Sequence, residues 1–537
     1  MTTEKESTKT ARKFKKRYLG LGFLVLCIIL VSLFMGGDEG NTLDPVTYQD
    51  KDRKVSLAKT TQALASARQP NIIIILADDM GYGDMSAYGA RGINTPHLDQ
   101  MAAQGMKFTD FYSSSGVCSP SRAGLLTGRY PIRTGVTFPI PSKKDSLFRK
   151  VTRTAGRELA KLGATDLPAQ ESLVDGLPAS EITIAEALGQ AGYRSALIGK
   201  WHLGDFTANP DHLPLNHGFD YFKGLNGAND SWPVAYWENH TELIKDIGLD
   251  QARLTKEFTK DAIAFMERSK DQPFFLFLSH KDPHQPCIPS EQFHRSSKAG
   301  PHGDAVQELD WSVGEILAYL KKNNLDKDTL VLFTSDNGPW YDGSPGNLRG
   351  RKGQSYEGGF RVPMVAWWPG EIPAGKTCDQ PAMNIDFFPT LLNLAGLEPP
   401  EDRIIDGKNI QDMLTKDAAS PHKALYFFHN NDLEGIREGN WKYFRNISQY
   451  VWPTPMDGTN TFVGRIASKR TYTDNNMTPP RTVKSGASLP LLYDLGVDSG
   501  ENYNLMEHYP EMGKKLLLTM ETWEKELFAN PRGWISQ

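Results

Sequence analysis

Uninterrupted apolar runs that end in polar residues constrain the fold of this chain more than any other feature. The run Asn71–Ala77 is β-branched or aliphatic after its first position and is followed by Asp78 and Asp79. A short continuous run of this kind indicates a strand buried on both faces of a parallel sheet. Comparable runs occupy Tyr193–Ile198, Pro273–Leu278, Thr329–Thr334 and Val362–Trp368.

Helical segments alternate with these strands. The alternation predicts an α/β fold with a mostly parallel central sheet and helices on both faces. After about residue 398 short aromatic strands and turns follow, which predicts a smaller carboxyl-terminal α+β domain with an antiparallel sheet. The predicted helices are Thr183–Ala191, Leu249–Lys270, Asp304–Asn323, Asn384–Ala395 and Tyr509–Leu527, and the predicted carboxyl-terminal strands are Ala424–His429, Glu434–Phe444 and Leu489–Leu495.

The amino-terminal segment differs from the rest of the chain. A basic stretch at residues 1–17 precedes an uncharged run from Tyr18 to Gly37, which is long enough to cross a bilayer as a helix. We therefore predict that residues 1–37 are a cytoplasmic stretch and a transmembrane signal anchor, and that residues 38–69 are a linker. The body, 70–398 and 399–537, would be membrane-anchored on the periplasmic, extracellular or lumenal side, or secreted if the segment is cleaved.

Composition excludes several classes of protein. The chain has 537 residues, a formal net charge of −4 and four cysteines. Four cysteines in a chain of this length exclude a disulfide-rich scaffold and a multi-cysteine zinc array. The mild acidity gives no electrostatic footprint for nucleic acid, so we expect no nucleic-acid partner.

Acidic and amide side chains follow two of the predicted strands. Asp78 and Asp79 come directly after the first strand, and Asp336 and Asn337 come just after Thr329–Thr334. Ligands bind at the carboxyl ends of strands in open α/β sheets, so we expect these side chains to converge. Carboxylate and amide oxygens are the ligands that Ca²⁺ and Mg²⁺ prefer. The sequence therefore predicts a metal site here.

Cys118 stands at the predicted beginning of a helix. Pro120 suits a first helical turn, so the cysteine lies where free N–H groups and the helix dipole favour an anion. Arg122 adds a positive charge one turn on. This pattern is typical of an activated nucleophile at an anion site, although a buried and inert cysteine is the commoner alternative.

Ordered motifs in the chain resemble those of the formylglycine-dependent (type I) sulfatases, a family in the alkaline-phosphatase superfamily. The segment Cys118-x-Pro-x-Arg122, followed by Leu126-Thr-Gly-Arg129, is similar to the signature of that family. The other motifs that carry the resemblance are Asn71–Gly83, Ile198–Gly204, Asp282–Pro286, Thr334–Gly338, Gly350–Gly359, Gly435–Tyr443 and Leu492–Leu495.

The resemblance implies a cofactor and a modified residue. A formylglycine-generating enzyme would oxidise Cys118 to 3-oxoalanine (formylglycine), and the hydrated aldehyde would attack a sulfate ester through a covalent sulfo-enzyme intermediate. Residues 70–398 would form the catalytic domain. One Ca²⁺ per chain would be held by Asp78, Asp79, Cys118, Asp336 and Asn337.

The resemblance also implies a role for each basic residue of the motifs. Arg122 would orient the hydrated aldehyde, and His202 would assist its proton. Lys200 and Lys352 would bind the sulfate oxygens, and His284 would bind the substrate and protonate the leaving oxygen. The implied activity is removal of sulfate from a sulfated carbohydrate or an aryl sulfate.

Two other functions remain open at this stage. The first is a phosphoester or phosphonate monoester hydrolase of the same superfamily, and the second is a non-catalytic binding protein with an unmodified Cys118. The substrate is also open. Aromatic and basic residues between the motifs are expected to rim the pocket and to suit a sugar or aryl group and a polyanion. They are Trp232, Tyr236, Trp237, Trp340, Tyr341, Lys298, Arg349 and Arg351.

Overall fold

The computed structural model of the chain describes residues 69–141, 172–231, 233–451, 481–484 and 489–535. With the exception of Arg481, these residues belong to one compact unit. The predicted anchor at residues 1–37, the predicted linker as far as residue 68 and Trp232 lie outside the described residues. The domain boundaries drawn from the sequence stay predictions.

A ten-stranded mixed sheet forms the centre of the protein, in the strand order β11-β2-β10-β9-β1-β8-β4-β5-β6-β7. Strands β9, β1, β8, β4 and β5 run parallel, whereas β10, β6 and β7 pair antiparallel toward the edges. In chain order the strands are β1 (Asn71–Ala77), β2 (Met106–Phe108), β3 (Phe111–Tyr112), β4 (Arg194–Lys200), β5 (Tyr221–Leu225), β6 (Tyr236–Glu238), β7 (Thr241–Ile244), β8 (Phe274–Ser279), β9 (Thr329–Ser335), β10 (Met364–Trp367), β11 (Lys376–Cys378) and β12 (Ala382–Met383).

Helices connect these strands and continue after them. The α-helices are α1 (Pro96–Gln104), α2 (Cys118–Thr127), α3 (Pro131–Thr134), α4 (Ile184–Gln190), α5 (Leu254–Ser269), α6 (Gly300–Lys322), α7 (Glu357–Phe360), α8 (Phe387–Leu394), α9 (Gln411–Lys416) and α10 (Pro510–Ala529). Short 3₁₀ turns lie at Tyr82–Asp84, Ser86–Tyr88, Pro210–His212, Pro214–His217, Asp326–Asp328 and Asn384–Asp386.

Helices cover both faces of the sheet because the side chains of β1 alternate between two apolar cores. Ile72 and Ile74 belong to one core, and Ile73 and Ile75 belong to the other. Side chains of α2, α4 and α8 fill the first core, and side chains of α1, α5 and α6 fill the second. Full burial of an aliphatic side chain contributes about 1.5–3 kcal/mol, so the predicted double-sided burial is a main source of stability.

A smaller antiparallel sheet follows in the carboxyl-terminal part, in the order β13-β14-β15-β18. The segment Glu434–Phe444, in which the sequence carries a turn signal at Gly439-Asn440, is a hairpin, since Gly439 has a left-handed φ of 58° and begins the turn between β14 and β15. Both sheets together confirm the predicted fold class. The strands are β13 (Leu425–His429), β14 (Asp432–Glu438), β15 (Trp441–Phe444), β16 (Ser448–Val451), β17 (Arg481–Lys484) and β18 (Leu491–Asp494).

The predicted membrane-anchored location is wrong for the part of the chain that the structure describes. None of the helices between residues 69 and 535, within the ranges given above, is both long and apolar enough to cross a bilayer. The two longest, α6 and α10, carry acidic and basic residues along their length, because each buries only one face.

Candidate active site

The carboxyl ends of the central parallel strands lie level at one edge of the sheet. In the register, Ala77 of β1 lies beside Ser335 of β9, and Gly199 of β4 lies beside Ser279 of β8. The polar residues that follow β1, β4, β8 and β9 therefore meet in one place. This convergence is what the sequence predicted for a sheet of this type.

Four buried side chains form a tight cluster at this edge. One potential ligand atom from each of Asp78, Asp79, Cys118 and His284 lies within 4.8 Å of the others. The Nε2 atom of His284 is 3.6 Å from Oδ2 of Asp79. The cluster therefore unites the turn after β1, the start of α2 and the segment after β8.

Asp336 and Asn337 hold the backbone and side chain of Asp79. The backbone N–H of Asp79 donates to Oδ1 of Asp336 at 3.1 Å, and Nδ2 of Asn337 donates to Oδ1 of Asp79 at 2.7 Å. Asp79 has a φ of 64°, a strained conformation for a residue other than glycine, and these bonds hold it there. All four predicted oxygen ligands are thus neighbours.

The chemistry of this donor set fits a calcium ion. Oδ1 of Asn337 is fully buried and has no hydrogen-bond partner among the described residues, which is unfavourable for an amide oxygen unless a ligand occupies it. It stands beside three fully buried carboxylates, those of Asp78, Asp79 and Asp336. A hard dication satisfies the orphan oxygen and offsets the repulsion between the carboxylates.

Cys118 occupies the first position of α2, as predicted. Its Sγ atom lies 3.6 Å from Oδ1 of Asp78 and 3.8 Å from Oδ1 of Asp79. Nζ of Lys352 approaches the same sulfur to 3.2 Å. The helix ends at Gly128, whose φ of 69° closes the last turn with a bond to the carbonyl of Gly124.

Arg122 projects from the next turn of α2 into the carboxylates. Its Nε donates to Oδ2 of Asp336 at 2.9 Å, and Nη2 lies 2.8 Å from the same oxygen, which gives a buried ion pair. Nη1 donates to Oγ of Ser279 at 2.6 Å and to the carbonyl of Lys200 at 3.1 Å. Ser279 helps to position Arg122, a role that the sequence analysis did not predict. The only indication in the sequence was the place of Ser279 at the end of an apolar run.

Two lysines flank the acidic cluster from opposite sides. Nζ of Lys200, at the end of β4, lies 2.5 Å from Oδ2 of Asp78. Nζ of Lys352 lies 2.7 and 2.8 Å from the two oxygens of Asp79. Both side chains are at least nine-tenths buried, so their charges act through a medium of low dielectric constant.

Lys200 and Lys352 determine the ionisation of the carboxyl groups of Asp78 and Asp79. Burial alone would raise the pKa of Asp78 and that of Asp79. The charge of Lys200 beside Asp78 and that of Lys352 beside Asp79 outweigh burial, with help from other cations, and lower both pKa values. At Asp336, burial and the negative charge of Asp78 prevail and raise the pKa to about 7.

Cys118 and His202 are both uncharged. Burial raises the pKa of the Cys118 thiol well above its ordinary value, so the sulfur keeps its proton. Burial, followed by the charges of Lys200 and Arg122, lowers the pKa of His202 well below its ordinary value. Its Nδ1 atom is buried without a hydrogen-bond partner in the described part of the chain.

His284 has a defined proton position. Its Nδ1 atom lies 2.6 Å from the carbonyl oxygen of Gln285. Because a carbonyl oxygen only accepts, Nδ1 carries the proton and Nε2 faces the cluster. A proton on Nε2 would make this histidine an acid that points at the site.

The segment that carries Lys352 is anchored by an ion network for which the sequence held no signal. Nζ of Lys442 lies 2.7 Å from Oε1 of Glu357 and 3.2 Å from Oε1 of Glu501, all fully buried. It also donates to the carbonyl of Ser355 at 3.2 Å. These partners are far apart in the sequence, so no local pattern could have predicted them.

The residues predicted to rim the pocket differ in exposure. Tyr236 is 3% exposed and packs on Phe258 inside the second core, because β6 turns it inward. Tyr341, in contrast, is 54% exposed. Arg349 is engaged within the protein, where it donates to the hydroxyl of Tyr493. Cys118, Cys287 and Cys378 are free and buried.

Comparison with known proteins defines the class. The family model described as Sulfatase matches residues 70–397, and a second, described as N-sulphoglucosamine sulphohydrolase, C-terminal, matches residues 351–449. N-acetylgalactosamine-6-sulfatase of Mus musculus is 35% identical over 86% of this chain and 86% of its own length. Arylsulfatase A of Homo sapiens is 34% identical over 82% of this chain and 84% of its own length.

Solved structures of sulfatases are also similar to this chain. The PsFucS1 sulfatase from Pseudoalteromonas sp. has a TM-score of 0.70 and 26% identity, and covers 87% of this chain and 92% of its own. Ps i-CgsB in complex with k-i-k-neocarrahexaose has a TM-score of 0.68 and 26% identity over 87% of this chain and 95% of its own. The chain belongs to the sulfatase family, in the alkaline-phosphatase superfamily. It is an enzyme, a sulfuric ester hydrolase.

Proposed function

We propose that this sulfatase works through formylglycine derived from Cys118. The observation that carries the proposal is the position of the sulfur, 3.2 Å from Lys352 and beside two ionised carboxylates, together with a pKa that keeps the thiol protonated. A protonated thiol is a poor nucleophile, so an unmodified Cys118 is badly suited to attack a sulfate ester.

The maturation step replaces sulfur by oxygen. A formylglycine-generating enzyme would deliver one oxygen atom from an oxygen-donating oxidant to the Cys118 side chain, which becomes an aldehyde while sulfur leaves as hydrogen sulfide. The hydrated aldehyde supplies a hydroxyl for attack on sulfur and a second hydroxyl whose deprotonation expels sulfate and restores the aldehyde.

The oxygen ligands at the strand ends would hold calcium. Asp78, Asp79, Asp336 and Asn337 provide the donor set, with the modified side chain of residue 118 beside them. When bound, the ion supplies positive charge that favours ionisation of a neighbouring hydroxyl and polarises a sulfate oxygen. Arg122 would keep Asp336 oriented through their buried ion pair.

The remaining basic residues would bind the sulfate group and move protons. Lys200 and Lys352 place two buried ammonium groups at the cluster, which suits the oxygens of a sulfate ester. The neutral imidazole of His202 is suited to accept a proton from the nucleophile. His284, with Nε2 turned toward the cluster, would protonate the leaving oxygen.

We propose a sulfated carbohydrate as the substrate. N-acetylgalactosamine-6-sulfatases of several mammals are about one-third identical to this chain over most of its length, which makes a sugar 6-sulfate the first compound to test. An arylsulfatase of Hemicentrotus pulcherrimus is 33% identical, so a small aryl sulfate is a suitable second substrate.

Sulfate release tests the proposal. Wild-type protein expressed with a formylglycine-generating enzyme is expected to release sulfate from N-acetylgalactosamine 6-sulfate and from 4-nitrophenyl sulfate. Cys118→Ala is expected to lower the rate about a thousandfold or more, since it removes the nucleophile. Cys378→Ala, at another free and buried cysteine, is the matched control. Faster turnover of 4-nitrophenyl phosphate than of the sulfate would favour the phosphoester alternative.

A further inference from the structure

An exposed aromatic ring lies on a segment whose backbone is held by Arg351, the residue before Lys352. We call residues 340–343 the rim segment. Tyr341 is 54% exposed, and its ring meets that of Trp340 edge-on at 4.8 Å between centroids. The exposed face of an aromatic ring can stack against the apolar face of a sugar or aryl group. The ring of Tyr341 is therefore available to a ligand.

Backbone contacts attach the rim segment to Lys352 at one end. The N–H of Lys352 donates to the carbonyl of Pro339 at 3.0 Å. Nη1 of Arg351 donates to the carbonyls of Trp340 at 2.9 Å and Gly343 at 2.6 Å. The residue before Lys352 thus holds the rim segment against the lysine that we assign to the sulfate.

Packing attaches the other end of the rim segment to α6. A Cβ on Gly343 would lie 2.9 Å from Cε1 of His302, so the backbone is in close contact with that ring. His302 interacts in turn with the thiol of Cys287. Burial, with a smaller contribution from the carboxylate of Asp342, raises the pKa of Cys287. The rim segment is therefore fixed near Lys352 at one end and against α6 at the other.

Arg351 offers a charge next to the exposed ring. Its guanidinium lies 5.8 Å from the centroid of Tyr341. Among the described residues no carboxylate forms an ion pair with it, although the chain as a whole is acidic. Two carbonyls occupy Nη1, which leaves the other edge of the guanidinium for an anion.

We propose that Tyr341 and Arg351 form a subsite for the sugar next to the one that carries the scissile sulfate, and that this neighbouring sugar bears an anionic group. The apolar face of the sugar ring stacks on Tyr341, and a sulfate or carboxylate of the same sugar pairs with Arg351. The inference rests on the proposed function, and it names the substrate class as an anionic oligosaccharide rather than a sulfated monosaccharide.

Three substrates separate the contribution of Tyr341 to substrate binding from that of Arg351. They are 4-nitrophenyl sulfate, a sulfated disaccharide whose second sugar is neutral, and the same disaccharide with a sulfate or carboxylate on the second sugar. Tyr341→Ala is expected to lower kcat/KM for both disaccharides about tenfold relative to the aryl sulfate, mainly through KM. Arg351→Gln is expected to lower kcat/KM about tenfold for the anionic disaccharide relative to the neutral one.

A matched control is available in the carboxyl-terminal part. Tyr509 is 50% exposed, and its ring lies 5.1 Å from that of Trp441, much as Tyr341 lies against Trp340. Tyr509→Ala is expected to leave the relative kcat/KM values for the three substrates unchanged. Arg351→Lys keeps a donor for the carbonyls of the rim segment, and it is expected to retain part of the preference for the anionic disaccharide.

The outcomes distinguish the inference from the proposed function. Equal losses on all three substrates in Tyr341→Ala and Arg351→Gln would overturn the subsite, because a merely structural role affects every substrate alike. Unchanged ratios would overturn it as well. Absence of sulfate release from every substrate, the aryl sulfate included, would instead refute the proposed function. Selective losses on the disaccharides in the expected order support the subsite.

Discussion

Glu434 provides a test of how the carboxyl-terminal sheet supports the segment that carries Lys352. Its side chain is fully buried on β14, and Oε2 accepts a hydrogen bond from Oγ of Ser355 at 2.5 Å. Burial raises the pKa of Glu434 from 4.5 to about 8, so the folded protein holds this carboxyl group protonated at neutral pH.

The sign of the effect on stability follows from proton binding. Unfolded Glu434 loses its proton near pH 4.5, whereas the folded protein keeps it up to about pH 8. Between these values the folded state binds more protons, so the free energy of unfolding falls as pH rises. The stabilisation is complete below pH 4.5 and is lost through pH 8. The difference between the two pKa values corresponds to a change of at most about 5 kcal/mol in the free energy of unfolding.

Glu434→Gln removes this proton while it keeps the shape of the side chain. We expect the variant to match the wild type at pH 4.5 and to be more stable at pH 8 and above, with a slope that is smaller by up to about 1.4 kcal/mol per pH unit. Urea midpoints measured at several pH values by fluorescence give the difference. Glu438→Gln, at a side chain 33% exposed on the same strand, is the control.

Parallel pH curves for the wild type and Glu434→Gln would refute the reasoning, since they would mean that the buried carboxyl group is ionised in the folded protein. A difference between Glu438→Gln and the wild type as large as that of Glu434→Gln would refute it too, because burial would then not be the cause.

Three further predictions concern the site. Lys352→Met is expected to lower kcat/KM for sulfate esters about 100- to 1000-fold, because it removes a charge that stabilises the transition state. Steady-state kinetics with circular dichroism as a folding control measure this, and an unchanged kcat/KM would contradict it. Calcium at 100 times its Kd is expected to stabilise the protein by about 2.7 kcal/mol. Asn337→Ala should reduce that gain, and equal thermal shifts in both proteins would mean that Asn337 is not a ligand. Lys442→Met is expected to lower the free energy of unfolding by about 3–5 kcal/mol, because Glu357 and Glu501 lose their buried partner. An unchanged urea midpoint would contradict this.

The parts of the fold that the sequence predicted are those where one local pattern decides the structure. Strands β1, β8 and β9 are continuous apolar runs, since helices cover both faces of the sheet there. The edge strand β11 and its neighbour β2 have three residues each, too few for any period to appear. Tyr236 was expected at the rim because it stands between two motifs, yet β6 directs it into the core.

The candidate site was predictable because its residues follow strands whose carboxyl ends must meet. Asp78, Lys200, His284 and Asp336 come from four different strands and still converge. The contacts that position them were not predictable. The buried ion pair of Arg122 with Asp336 depends on how α2 packs across the sheet edge, which no spacing in the sequence encodes.

The mass of the tryptic peptide that contains Cys118, taken from protein that actively releases sulfate, tests the central claim most directly. Conversion of Cys118 to formylglycine predicts a peptide about 18 Da lighter than the unmodified sequence, since an aldehyde oxygen replaces the thiol. It also predicts that the modified fraction of each preparation scales with its rate of sulfate release. A wholly unmodified thiol in protein that hydrolyses sulfate esters at full rate would contradict the account.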